Sequence, residues 1–195
     1  MKGILPFLLL ILLSFSMLSG ISFSAQTQMF SLFNSCSGQS SILVPAVMGN
    51  EGGLVKLSVR LVPGNGSAFL TTNPRTGVST QESVDNAISY LLSEYNLPSR
   101  NCDILVSIDS SDAPGFVDGP SAGAAITAAI YSAASGKPLR QDAIVSGEVD
   151  SYGNVLPVGG LYEKAMAAWA GGRKYFVTPL NSISDRMMLI SLRQE

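Results

Sequence analysis

Asp118-Gly119-Pro120-Ser121-Ala122-Gly123 opens an Ala- and Ile-rich run that reaches Ser135 and stops at Gly136 and Pro138. A glycine-rich loop thus leads straight into a predicted helix, residues 121–135, closed by residue types that end helices. Unpaired backbone N–H groups and the positive end of the helix converge at Ser121. That setting suits an oxyanion site, where fixed N–H donors hold a developing negative charge. It also suits a serine that only caps the helix.

Towards the C-terminus, residues 143–149 read as a strand. A turn follows at Ser151-Tyr152-Gly153-Asn154, then a short strand to Pro157. A helix from about residue 160 to 170 ends at Gly171-Gly172, a C-cap signal. It is apolar almost all round and should be well buried. Lys164 shares a face with Leu161, Ala165 and Ala168. Its amine is either snorkelling to solvent or held inside with a depressed pKa, which would make it a base near neutral pH. Residues 174–178 read as a last strand and 184–192 as a terminal helix. Towards the N-terminus, residues 42–47, 54–62 and 67–71 are β-rich runs broken by Gly and Pro, and they predict an antiparallel meander. Val84, Ala87, Ile88, Leu91, Leu92 and Tyr95 fall at helical spacing. Ser79-Thr80-Gln81-Glu82 offers a capping box, and Leu97-Pro98 a stop. Residues 103–109 form a strand and 110–115 a loop. The whole is one α+β domain, short mixed sheets packed with three to four helices.

Composition narrows the chemistry. Of 195 residues, 12 are Lys or Arg, 14 are Asp or Glu and none is His. A net charge of −2 argues against a nucleic-acid partner, which calls for a basic face. The missing histidines remove Ser-His-Asp triads, Cys-His dyads and His-ligated metals. A hydrolytic base must then be Lys or a carboxylate. Two cysteines, Cys36 and Cys102, are too few for a thiolate metal site. Asp109 and Asp112 lack the further oxygen ligands of a calcium loop and read as a solvated turn. No cofactor is implied.

Taken jointly, three fragments in register closely resemble the proteolytic domain of Lon proteases. They are the loop at residues 118–123, Ser146-Gly147-Glu148-Val149, and the run from Gly153 through Val158-Gly159-Gly160 to Lys164. The likeness continues through Gly171-Gly172 and Thr178-Pro179-Leu180-Asn181, and is looser over residues 42–107. Ser121 and Lys164 stand 43 residues apart, the family's serine-to-lysine spacing. The resemblance implies a Ser–Lys dyad with Ser121 as nucleophile and Lys164 as general base. Ser146 stands where the family usually has a threonine whose hydroxyl orients the lysine. Asp118 matches the bacterial-type pattern, and would either help position the lysine or shape the turn. The histidines that relatives often carry before the nucleophile loop are replaced here, in Leu105-Val106-Ser107-Ile108. No Gly-x-x-x-x-Gly-Lys-Ser/Thr phosphate loop occurs in the 195 residues.

Lys2 is followed by an apolar run from Ile4 to Leu13, and the next charge is Glu51. This predicts a secretory signal over residues 1–24, with small residues at 22 and 24 for cleavage. The rival is an uncleaved membrane anchor over residues 4–23. Residues 25–41 read as a linker and 42–195 as the proteolytic domain. Both readings put the domain outside the cytoplasm, where Cys36 and Cys102 either pair or remain two thiols. Asn65-Gly66-Ser67 is a glycosylation sequon in a turn.

The expectation is an ATP-independent extracytoplasmic endopeptidase acting on unfolded or flexible protein segments, with the homo-oligomeric ring common to Lon-type domains. The alternatives are a non-catalytic peptide-binding or scaffold module of the same fold, or a membrane-tethered partner of a separate ATPase.

Overall fold

The computed structural model describes residues 36–71, 74–98, 100–109 and 116–179. The predicted leader, the loop at 110–115 and the helix at 184–192 lie outside the described residues. Among these residues, no helix is long and apolar enough to cross a membrane.

Strand β1 (Gln39–Met48) turns at Gly49-Asn50 into β2 (Glu51–Pro63), and all of β1 pairs antiparallel with residues 51–60 of β2. Val55, Leu57, Val59 and Leu61 alternate along β2 onto one face and are buried there. β5 (Cys102–Asp109) pairs antiparallel with the other side of β2 and adds Ile104, Val106 and Ile108 to that face. Burying each such side chain stabilises the fold by roughly 1.5–3 kcal/mol.

The predicted meander is corrected at its third strand. β3 (Ala68–Leu70) pairs not with β2 but parallel with the far edge of β5, so the sheet order is β1-β2-β5-β3. The reason is a contact between segments distant in sequence. After Pro63 the chain crosses over the start of β5, where the Asp103 carboxylate accepts the N–H groups of Asn65, Gly66 and Ser67 at 2.8, 3.0 and 2.9 Å. Helix α1 (Val78–Tyr95) is then the crossover that parallel pairing of β3 with β5 requires. Before it, β4 (Arg75–Thr76) pairs with β6 (Phe116–Val117), which precedes the loop at Ser121.

Helix α2 (Gly123–Ser135) packs on α1 and across β1 and β2. Its alanines bring it close. The Ser40 hydroxyl donates to the Ala129 carbonyl at 3.0 Å. A Cβ on Gly38 would overlap the Ala133 carbonyl. The predicted strand at 143–149 is two strands. β7 (Ala143–Val145) pairs parallel with β10 (Tyr175–Val177), whereas β8 (Glu148–Val149) pairs with β9 (Val155–Leu156). Ser146 and Gly147 leave the ladder between them to bond to the loop at Ser121. Helix α3 (Leu161–Ala170) lies on β1 and β2. It is less enclosed than expected, since Tyr162 and Trp169 are exposed while Leu161, Lys164, Ala167 and Ala168 are buried.

Cys36 and Cys102 form a disulfide with their Cα atoms 5.2 Å apart. This resolves the pairing left open by the sequence.

Candidate active site

Ser121 sits in a 3-10 turn, Pro120–Ala122, that precedes α2 rather than in the helix itself. Gly119 before it has φ +146°, a conformation essentially closed to side chains bearing a Cβ. Pro120 then sets the turn's first φ. The turn uses the Gly123 N–H, which donates to Pro120, and the Ala124 N–H donates to Gly147 at 2.9 Å. Two of the donors gathered at the helix start are therefore already occupied.

The backbone of Ser121 is clamped from below. Its carbonyl accepts the Gly147 N–H at 3.0 Å and the Ser146 hydroxyl at 3.3 Å. Ser146 is fully buried, and its own N–H donates to Val177 at 2.9 Å. A Cβ on Gly123 would come within 2.8 Å of the Val149 nitrogen, so that glycine permits the close approach of α2 to β8.

Asp118 has a structural task. Helix α1 starts at Gly77 with no side-chain cap of its own, so the expected capping box is not used. Instead Asp118 Oδ1 accepts the Thr80 N–H at 3.1 Å and the Gly119 N–H at 2.9 Å. The carboxylate caps α1 from the neighbouring loop. Gly77 leaves room for it, because a Cβ there would overlap the Asp118 side chain. Ser83, buried one turn further on, donates to Ser79 at 2.9 Å and lies 3.5 Å from the Pro120 carbonyl. The Thr80 hydroxyl is buried and has no hydrogen-bond partner among the described residues.

Lys164 is only 4% exposed. The structure thus selects the inward of the two readings of this side chain. Burial pushes its pKa below the ordinary lysine value, against an opposing pull from the Glu163 carboxylate. Its helix begins at Gly160, whose φ of +67° turns the chain out of the Pro157–Gly160 segment.

Ser121 and Lys164 line one open cleft of about 420 Å³, together with Asp118, Pro120, Val47 and the segment 157–160. No hydrogen bond joins the Ser121 hydroxyl to the Lys164 amine. Ser146 lies beneath Ser121 and bonds to its carbonyl. Val47 was not singled out from the sequence. It reads there as the end of a strand, and only the packing of β1 against the start of α3 brings it to the cleft. Among the described residues no cluster of side chains could hold a metal ion.

The sequence is similar to that of known proteins. Residues 36–188 match the Lon protease (S16) C-terminal proteolytic domain. The chain is 34% identical over 133 residues to a Lon protease of Chloroflexus aggregans, covering 66% of this chain and 16% of that protein. It is 34% identical over 140 residues to Lon protease 1 of Thermus thermophilus, covering 69% of this chain and 17% of that one. Against a Lon protease of Brucella suis the identity is 38% over 141 residues, with shares of 69% and 17%. The chain therefore spans about a sixth of the length of these relatives. With the family matched over most of its length and the serine and lysine lining one cleft, this chain belongs to the Lon protease (S16) C-terminal proteolytic domain family.

Proposed function

We propose that the chain is a serine endopeptidase that uses a Ser121–Lys164 dyad, without ATP, on unfolded or flexible protein segments outside the cytoplasm. The observation that carries the proposal is the buried Lys164, its pKa lowered by burial, lining the same cleft as Ser121. A lysine with an ordinary pKa is almost wholly protonated at neutral pH and cannot accept a proton. Burial disfavours the charged form and leaves a larger fraction of free amine.

In the proposed reaction, Lys164 Nζ takes the proton from Ser121 Oγ as that oxygen attacks the scissile carbonyl carbon. Backbone N–H groups near the start of α2 stabilise the oxyanion. The ammonium returns the proton to the leaving amine, and an acyl-serine ester remains. Water then attacks the ester with the same amine as base, which regenerates the hydroxyl. Ser146 and Gly147 fix the Ser121 backbone, and Asp118 fixes the loop before it.

The open cleft suits an extended segment entering from solvent better than a folded domain. The Cys36–Cys102 disulfide and the apolar run after Lys2 support export. The test is cleavage of a permanently unfolded protein, without nucleotide, by the parent chain, Ser121→Ala and Lys164→Ala. Cleavage by the parent and its loss in both variants is expected. Full activity in either variant removes the dyad.

A further inference from the structure

We propose that Asn65 is the acceptor of an N-linked oligosaccharide. The inference rests on the export reading above, because the modification takes place on the extracytoplasmic side. It is independent of the chemistry at Ser121.

Asn65-Gly66-Ser67 lies in the exposed crossing between β2 and β3. Two features go beyond the bare sequon. The Ser67 hydroxyl donates to Asn65 Oδ1 at 2.7 Å, so the serine at +2 already engages the acceptor amide. The amide nitrogen donates to no described residue and stands in solvent, whereas the backbone around it is held. Asp103 accepts all three N–H groups of the turn, and those of Ser67 and then Asn65 do most to hold its carboxyl below the usual range. Gly66, at φ +91°, makes the turn in a conformation that residues with a Cβ rarely adopt. A turn of this kind needs Asn and Gly for its shape, but it does not need a hydroxyl at Ser67.

The reaction takes a lipid-linked oligosaccharide, a sugar chain on a polyprenyl phosphate or pyrophosphate, as its donor. A bond forms between Asn65 Nδ2 and C1 of the first sugar. The bond from C1 to the phosphate oxygen breaks, the amide loses one proton, and the polyprenyl phosphate or pyrophosphate of the donor leaves. The product fits the fold. Asn65 and Gly66 stand at the rim of a cavity of about 220 Å³ lined by Ile88, Leu92, Pro98 and Cys102. A sugar at Asn65 would cover these apolar groups and the disulfide without reaching the core.

The experiment is mass analysis of the protein purified from its native host. Trypsin releases the peptide 61–75, which contains Asn65, and unreduced digestion shows whether Cys36 and Cys102 are linked. The expected result is a peptide 61–75 heavier by an oligosaccharide, lost in Asn65→Gln and Ser67→Ala and kept in Ser67→Thr. An unmodified peptide from disulfide-linked protein overturns the glycan and leaves export standing. An unmodified peptide from protein with two free thiols overturns both.

Discussion

The buried hydroxyl of Ser146 donates to the carbonyl of Ser121 at 3.3 Å, and the neighbouring Gly147 N–H reaches the same oxygen. The turn that carries Ser121, the proposed nucleophile, is thus anchored through its peptide group. Ser146→Ala removes one of two bonds and leaves the carbonyl partly satisfied, so stability falls by about 0.5–1.5 kcal/mol. Activity should fall further than stability, because the turn loses its alignment. Ser146→Thr keeps the hydroxyl and narrows its rotamers. It should retain more activity than Ser146→Ala. Paired measurements of thermal unfolding and of kcat on one unfolded substrate separate the two effects.

Asp118 caps helix α1 across the chain, with Oδ1 on the Thr80 N–H at 3.1 Å. Asp118→Ala leaves that start uncapped and should cost about 1 kcal/mol. Asp118→Asn retains an oxygen acceptor and should cost less. If Asp118 instead acted on Lys164 through its charge, Asn and Ala would move the pH profile of cleavage equally. On the capping account, Asn leaves the profile in place and only Ala lowers Tm appreciably.

Much of this was legible in the residues themselves. Helix α1 shows its 3.6-residue period in Val84, Ala87 and Leu91, and β2 its period of two in Val55, Leu57, Val59 and Leu61. The Gly119-Pro120 pair announces a tight turn before Ser121. Long-range relations were not legible. β3 passes to the far side of β5 because Asp103 gathers the crossing loop, and no local pattern in residues 63–71 encodes a partner 36 to 38 positions away. The sequence at Ser79 to Glu82 suggests a local cap for α1, whereas the cap comes from a residue 38 positions on. Helical spacing alone leaves Lys164 either snorkelling outward or held inside. The enclosure by neighbouring elements, not the pattern, decides it.

The disulfide ties the segment before β1 to the start of β5, across β2. It spans a sequence separation of 66 residues. Closing a loop of that length lowers the entropy of the unfolded chain by an amount worth about 4 kcal/mol. At roughly 2–4 °C per kcal/mol for domains of this size, reduction should lower Tm by on the order of 10 °C. Melting with and without reductant measures it, and the double variant Cys36→Ser/Cys102→Ser should match the reduced parent. A reductant effect that persists in the double variant would show that the loss has another source.

Burial of Lys164 couples activity and stability to pH in a way that one variant can separate. Its folded-state pKa is lowered from 10.5, chiefly by burial. Between the lowered value and 10.5, the unfolded chain holds a proton that the folded chain has released. Stability therefore rises with pH across that window, and below it the full cost of enclosing a charge is present. Cleavage should rise with pH through the same lowered pKa, as the amine becomes free to take the Ser121 proton. Lys164→Met keeps most of the stem and has no charge. It should lose roughly 10²–10⁴-fold in kcat, the usual contribution of a general base. Its Tm should exceed the parent's most at low pH, and the gap should shrink as pH approaches 10.5. Tm measured in parallel for the two proteins from pH 5 to pH 10 decides the matter. A gap that stays constant across the range means that the lysine is solvated in its charged form, and the proposed base loses its physical footing.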